Sequence, residues 1–305
     1  MAGPRKLVDG PRFTPSAFGL LSVAELRGGD GDDHWQNGIT FETGCLTTTP
    51  TNATTYDECI AVTGVGSPSP PPAKADNTAS RWRGATPFTV YAQFDCSPVG
   101  LDRARDKAED ALARNESWQI ERAFWTGQAA GVNNIAFPHL AHSAAELSDA
   151  QGILLQSPAV TGVGGYPATS GPWPIAQGLG ILEQLLADCA NGQGVIHVPA
   201  KVLPKLAGAM AVTQRGGTIT TSNGNLLAVG NGYPGTGPGG QTTTQDAAWI
   251  YATGPVVVYR GQPQFSRFGA DTLDRSENTI RLLAERTALV AWDCCHFAVQ
   301  INLTA

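Results

Sequence analysis

Residues 97–127 read SPVGLDRARDKAEDALARNESWQIERAFWTG, and this stretch decides the fold. Leu101, Ala104, Ala108, Ala111, Leu112, Ile120 and Phe124 recur at the spacing of one helical face. Asp102–Arg105, Arg105–Glu109 and Asp110–Arg114 stand at i,i+3 or i,i+4, which supports an exposed opposite face. Ser97-Pro98 supplies an N-cap followed by a first-turn proline, and Gly127 ends the run. The pattern predicts a helix over residues 101–126, a rod on the order of 40 Å long.

The rest of the chain contrasts with this helix. Only 15% of the 305 residues are charged, against roughly 25% in an ordinary soluble domain. Yet residues 102–122 hold eleven of the 46 charged residues. The 36 glycines and 21 prolines make up about a fifth of the chain, well above usual, and lack a collagen period. Such a chain is loop-rich but, at 42% hydrophobic, long enough to bury a core. Its apolar runs are too short for a membrane span. A net charge of −6 argues against a dedicated nucleic-acid binder. The six cysteines form no CxxC pair, and no secretory signal is recognised at the N-terminus, so reduced and mostly buried thiols are expected.

On the N-terminal side, residues 1–33 read as an extended arm with one apolar patch at 18–26, unlikely to pack on itself. Residues 38–43 and 87–94 read as strands. The Thr-, Ser- and Pro-rich stretch between them, with Pro68, Pro70, Pro71 and Pro72, reads as the tip of a long hairpin. On the C-terminal side, a short helix is expected near 143–150, a second helix at 174–191, a buried strand at 194–199 and a short helix at 200–210. TSNGN at 221–225 reads as a hairpin turn and 233–245 as a flexible loop. Residues 248–259 read as a strand pair broken at Gly254-Pro255. The chain closes with strands at 279–293 and 296–303, joined at Cys294-Cys295.

This order of elements resembles the major capsid protein of tailed bacteriophages, the Hong Kong 97 fold. Besides residues 97–127, the similar stretches are GVIHVPAKVLPKLAG (194–208), AWIYATGPVVVYRG (248–261) and LLAERTALVAWDCCHFAVQINL (282–303) with its Glu285-Arg286 pair. The frequency of Trp and Cys is similar to capsids of phages that infect actinobacteria. The resemblance implies an α+β fold in five parts. These are an N-terminal arm (1–34), an extended hairpin and its base (35–96), a peripheral domain with the spine helix 101–126 (97–173), a mixed α/β axial domain (174–268) and return strands of the peripheral domain (269–305). It further implies hexamers and pentamers closing an icosahedral shell around double-stranded DNA, bound without sequence specificity. The expected partners are other copies of the chain, a separate scaffolding protein, a portal and a decoration protein, with no membrane. The expected location is the virion, after assembly in the host cytoplasm. Alternatives are an encapsulin-like nanocompartment shell and, from another class, a cytoplasmic hydrolase.

No catalytic, cofactor or metal residue is assigned. Asp293, Cys294, Cys295 and His296 could suggest a metal site, but adjacent strand side chains point to opposite faces. Asp30, Asp32, Asp33 and His34 lack the closing Glu of a calcium loop. The Gly-rich runs at 162–165 and 235–240 lack the Lys-Ser/Thr of a phosphate loop. His139 and His142 stand three apart beside Pro138, a poor setting for a helical ligand pair. Lys74 is the one hairpin lysine that could form the Lys–Asn crosslink known in some capsids of this type. Trp118 and Trp125 are seven apart and read as one core stripe, whereas Trp35 and Trp82, at the hairpin base, read as anchors of subunit contacts.

Overall fold

The computed structural model describes residues 14, 16–28, 33–42, 82–96, 101–129, 134–135, 138–142, 172–190, 193–266, 273–274, 276–293 and 295–304. The hairpin tip with Lys74, the helix expected at 143–150, the Gly-rich run at 162–165, Ser97-Pro98, Asp30, Asp32 and Cys294 lie outside these residues.

Two sheets carry the fold. The first has six strands: β1 (Glu25–Arg27), β4 (Phe88–Cys96), β13 (Val256–Arg260), β14 (Gln264–Phe265), β15 (Leu273–Asp274) and β16 (Thr279–Trp292). The fourteen-residue β16 is its organiser: β4, β13, β14 and β15 all pair with it antiparallel. The second has seven strands in the order β7 (Trp173–Pro174), β17 (His296–Asn302), β12 (Ala247–Thr253), β8 (Val195–Pro199), β11 (Leu226–Gly230), β10 (Thr218–Thr221), β9 (Val212–Arg215). β8 lies at its centre and every one of its residues is buried, which explains why it reads as an unbroken apolar run. Among the described residues, two small ribbons complete the set, β2 (Ile39–Glu42) with β3 (Trp82–Ala85) and β5 (Gln128–Ala129) with β6 (Asn134–Ile135).

The long helix spans Leu101–Thr126, as its sequence predicts. Ala104, Ala108, Leu112, Ile120, Ala123, Phe124 and Trp125 are all buried. The helix lies on β4 and β16. In β4, Phe88, Val90 and Ala92 are buried while Tyr91 between them is 47% exposed, the two-residue alternation of a half-covered strand. At its C-terminus Gly127 adopts φ +75° and donates its N–H to Ala123 O at 2.8 Å. The carbonyls of Phe124 and Trp125 accept from Leu140 N (2.9 Å) and Ala141 N (2.8 Å), which satisfies two of the groups a helix end leaves open.

The second helix, Ile175–Ala190, buries Ile175, Leu179, Ile181, Leu182, Leu185 and Leu186 against the seven-stranded sheet. Gly178 faces Ile301 and Val299 so closely that a Cβ there would collide, so glycine sets how near the helix lies to β17. Ala200–Val202 and Leu203–Gly208 form the expected short helix in two pieces, with Pro204 in the first turn of the second.

Over its described part the arm packs on the body and not on itself, in keeping with its sequence: Leu20 is fully buried in the helix Leu20–Val23, and β1 pairs parallel with β13. Three strand pairings differ from expectation. The partner of β2 is β3, not the strand at 87–94, which joins β16 as β4. The strand pair expected at 248–259 is two strands in different sheets, because Pro255 has no N–H to continue a ladder. Likewise β16 and β17 do not pair with each other: β17 enters the seven-stranded sheet beside β12.

Candidate functional site

Two buried carboxylates of this charge-poor chain, Glu116 and Glu121, stand on the long helix, and the buried His197 and Thr253 lie in the seven-stranded sheet. Glu116 is 2% exposed. Its carboxylate accepts from Arg260 Nε (2.6 Å) and Nη2 (2.5 Å), on β13, and from Arg286 Nη1 (2.9 Å), on β16. Hydrogen bonding to Glu116 raises the pKa of the Arg260 guanidinium. One carboxylate therefore fixes the middle of the long helix to two neighbouring strands of the six-stranded sheet. Arg286 is the second half of the Glu285-Arg286 pair noted in the sequence; the signal for its partner was a Glu at a position between buried apolar ones.

One turn further on, Glu121 is 1% exposed. Its oxygens accept from the backbone N–H of Leu20 (3.1 Å) and of Gly232 (2.9 Å). Burial pushes its carboxyl pKa up, while these backbone donors pull it down. Glu121 thus pins both the arm and the 231–232 turn to the helix. A Cβ on Gly232 would run into the helix backbone at Trp118, so only glycine allows this approach.

Beside it runs a buried polar chain. Tyr233 Oη lies 3.2 Å from His197 Nδ1, and His197 Nε2 lies 2.9 Å from Thr253 Oγ1. Thr253 Oγ1 donates to Gly254 O at 2.9 Å, so its hydroxyl proton is committed there. His197 is then the Nε2–H tautomer, donating to Thr253 and accepting from Tyr233. Burial lowers the His197 pKa to about 3, which keeps the ring neutral. A sealed, neutral imidazole without access to solvent holds the sheet; it is not placed for acid–base work on a ligand.

The loop expected to be flexible at 233–245 is packed instead. Thr236 O accepts from Trp125 Nε1 (3.0 Å) and Tyr251 Oη (3.1 Å), and Gly239 N donates to Ala141 O (2.9 Å). Its glycines permit a tight path rather than motion, since Trp125 and Tyr251 supply polar partners that hold it.

The tryptophans divide. Trp125 is fully buried against Tyr233 and Tyr251. Trp118 is not core: it is 39% exposed, with Arg122 over its ring, beside a surface cavity of about 440 Å³ that Ser16 and Asn231 also line. Seven residues keep a stripe on a helix, but the neighbours at each turn decide whether it is covered. Trp35 is also reassigned. It is 6% exposed and packs on Tyr259 within its own chain, so it does not serve as an exposed subunit anchor.

His139 and His142 approach with ring centroids 4.5 Å apart. His296 is buried against Tyr251 and Trp292. Among the described residues, no three His, Cys, Asp or Glu side chains are grouped to hold a metal. The expectation of reduced thiols is corrected at one pair: Cys189 and Cys295, 106 positions apart, form a disulfide. Nothing local in the sequence joins them; the fold brings the end of the second helix to the β16–β17 junction.

A groove of about 940 Å³ runs between β1 and β2, lined by Leu26, Trp35, Ile39, Phe41, Val257 and Tyr259 among others. Leu26 there is 53% exposed.

Comparison with solved structures places this architecture in a class: the fold is that of shell-forming subunits of capsids and encapsulins, and its mix of a few helices with many strands is compatible with the Hong Kong 97-like fold that the sequence resembles. The particular likenesses span nearly the whole chain. The capsid of an empty GTA particle matches with TM-score 0.52 at 12% identity, covering 99% of this chain and 95% of that one. The capsid of the native GTA particle gives TM-score 0.52 at 13% identity over the same shares. The SrpI encapsulin from Synechococcus elongatus PCC 7942 gives TM-score 0.51 at 9% identity, covering 100% of this chain and 94% of that one. No family model and no curated protein matches the sequence.

Proposed function

We propose that this chain is the major subunit of a phage-type capsid: copies of it assemble as hexamers and pentamers into an icosahedral shell around double-stranded DNA. The observation that carries the proposal is the full-length likeness to a particle capsid, 99% of this chain against 95% of the other. The composition supports it, since a subunit that buries much of its surface against neighbours needs few charges. The protein is structural rather than catalytic. Its partners are other copies of itself, a scaffolding protein, a portal and a decoration protein, and its place is the virion. Residues 1–34 serve as the arm, 35–96 as the extended hairpin and its base, 97–173 and 269–305 as the peripheral domain, and 174–268 as the axial domain. Lys74 is the candidate for a crosslink to a neighbour's Asn.

The encapsulin likeness favours a second reading, a shell that holds proteins instead of DNA. Genes for a portal, a protease and a terminase beside this one would decide for the phage capsid.

Sedimentation of the full chain, expressed with and without a candidate scaffolding protein, tests shell formation. Fast-sedimenting particles are expected, and a chain that remains monomeric at high concentration contradicts the proposal. Deleting residues 67–80 should leave thermal unfolding unchanged and remove those particles. A deletion variant that sediments like the parent would overturn the hairpin assignment.

A further inference from the structure

The two sheets are joined where β12 passes into β13 and where β16 passes into β17. These two crossovers lie side by side. Asp293 N donates to Pro255 O at 3.0 Å, and Gly254 N reaches Cys295 O at 3.4 Å. Cys295 is 4% exposed and holds φ +23°, a backbone setting that side-chain-bearing residues rarely adopt. Its sulfur bonds to Cys189, a partly buried residue in the last turn of the helix Ile175–Ala190. The bond therefore ties the junction between the sheets to the helix that covers the larger one. It spans a separation of 106 residues, so it removes much freedom from the unfolded chain.

We propose that Cys189 and Cys295 are a redox-operated clasp, open while the chain folds in a thiol-rich compartment and closed on exposure to a small-molecule disulfide. Cys189, the more accessible of the two, attacks one sulfur of that disulfide as thiolate and expels the other half as a thiol. The Cys295 thiolate then attacks the Cys189 sulfur and expels the remaining half. Two protein thiols lose two electrons and two protons, and one small-molecule disulfide becomes two thiols. Closure braces the strained turn at Cys295 and, through the backbone bonds at 254 and 293, the neighbouring crossover. The clasp is a property of the single chain and goes beyond its proposed role in a shell.

The test uses the full chain purified in reductant and then treated with glutathione disulfide. Peptide mapping without reduction is expected to join Cys189 to Cys295. The oxidised chain is expected to unfold at a temperature higher by on the order of 10 °C. Amide exchange at Thr253 and Gly254 and at residues 293–296 should slow on oxidation. Cys189→Ala should show the same unfolding temperature with and without the oxidant; should that variant fail to fold, the reduced parent chain serves as the reference. A bond to any other cysteine, an unfolding temperature unchanged by oxidation, or unchanged exchange at both crossovers would overturn the proposal.

Discussion

The helix on the six-stranded sheet carries eleven charges between residues 102 and 122, whereas the helix on the seven-stranded sheet carries two, Glu183 and Asp188. The first is held partly by buried carboxylates: Glu116 between two arginines, Glu121 on two backbone donors. The second is held by leucine and isoleucine packing and one disulfide. Apolar packing is non-directional, so it suits a helix whose place is set by the sheet it covers. A 26-residue helix laid on a few strands can slide or rotate on such a surface. Ion pairs and carboxylate–amide bonds fix its position along the axis at Glu116 and Glu121.

That contrast can be broken by substitution. Glu116→Ala should have the largest effect, a loss of about 3–5 kcal/mol, because two arginines are left without their shared carboxylate. Denaturant unfolding measures it, and a loss below that of an apolar truncation would argue against electrostatic anchoring. Leu182→Ala, in the apolar core of the other sheet, should cost about 3 kcal/mol by leaving a cavity.

Acid sharpens the same contrast. His197 has a folded pKa of about 3 against 6.5 unfolded, so the unfolded chain takes up a proton that the folded chain refuses. Its contribution is fully present above the unfolded value and falls as pH drops through the window between the two. The loss should reach about 2 kcal/mol near pH 5. Glu121, with its raised pKa, acts in the opposite sense and offsets part of this as it protonates. Replacing His197 with an uncharged residue should flatten the slope of stability against pH over that window. Tyr233→Phe should cost about 1 kcal/mol, since His197 Nδ1 loses its donor in a buried setting. Trp118→Ala should be smallest, about 0.5 kcal/mol, because the ring is partly exposed and loses chiefly its contact with Arg122.

The long helix was legible residue for residue, because its apolar spacing, its charged face and Gly127 all agree. The strands at 195–199, 279–292 and 296–302 were legible as strands too. Their sheet partners were not. Gly254-Pro255 and Asp293–Cys295 look locally like hairpin turns, yet each is a passage between sheets, and only long-range pairing tells these apart. The same holds for β1, whose three residues gain a strand's geometry from β13 alone. Of the buried polar contacts, Glu116 stood in view as a charge on the helix, but its arginines lie 144 and 170 residues away. The disulfide is hidden for the same reason.

The most direct test of the account is negative-stain electron microscopy of the purified full chain, assembled with and without its candidate scaffold. Closed shells of hexameric and pentameric capsomers are predicted. A uniform field of single 31.9 kDa particles at high protein concentration would contradict it.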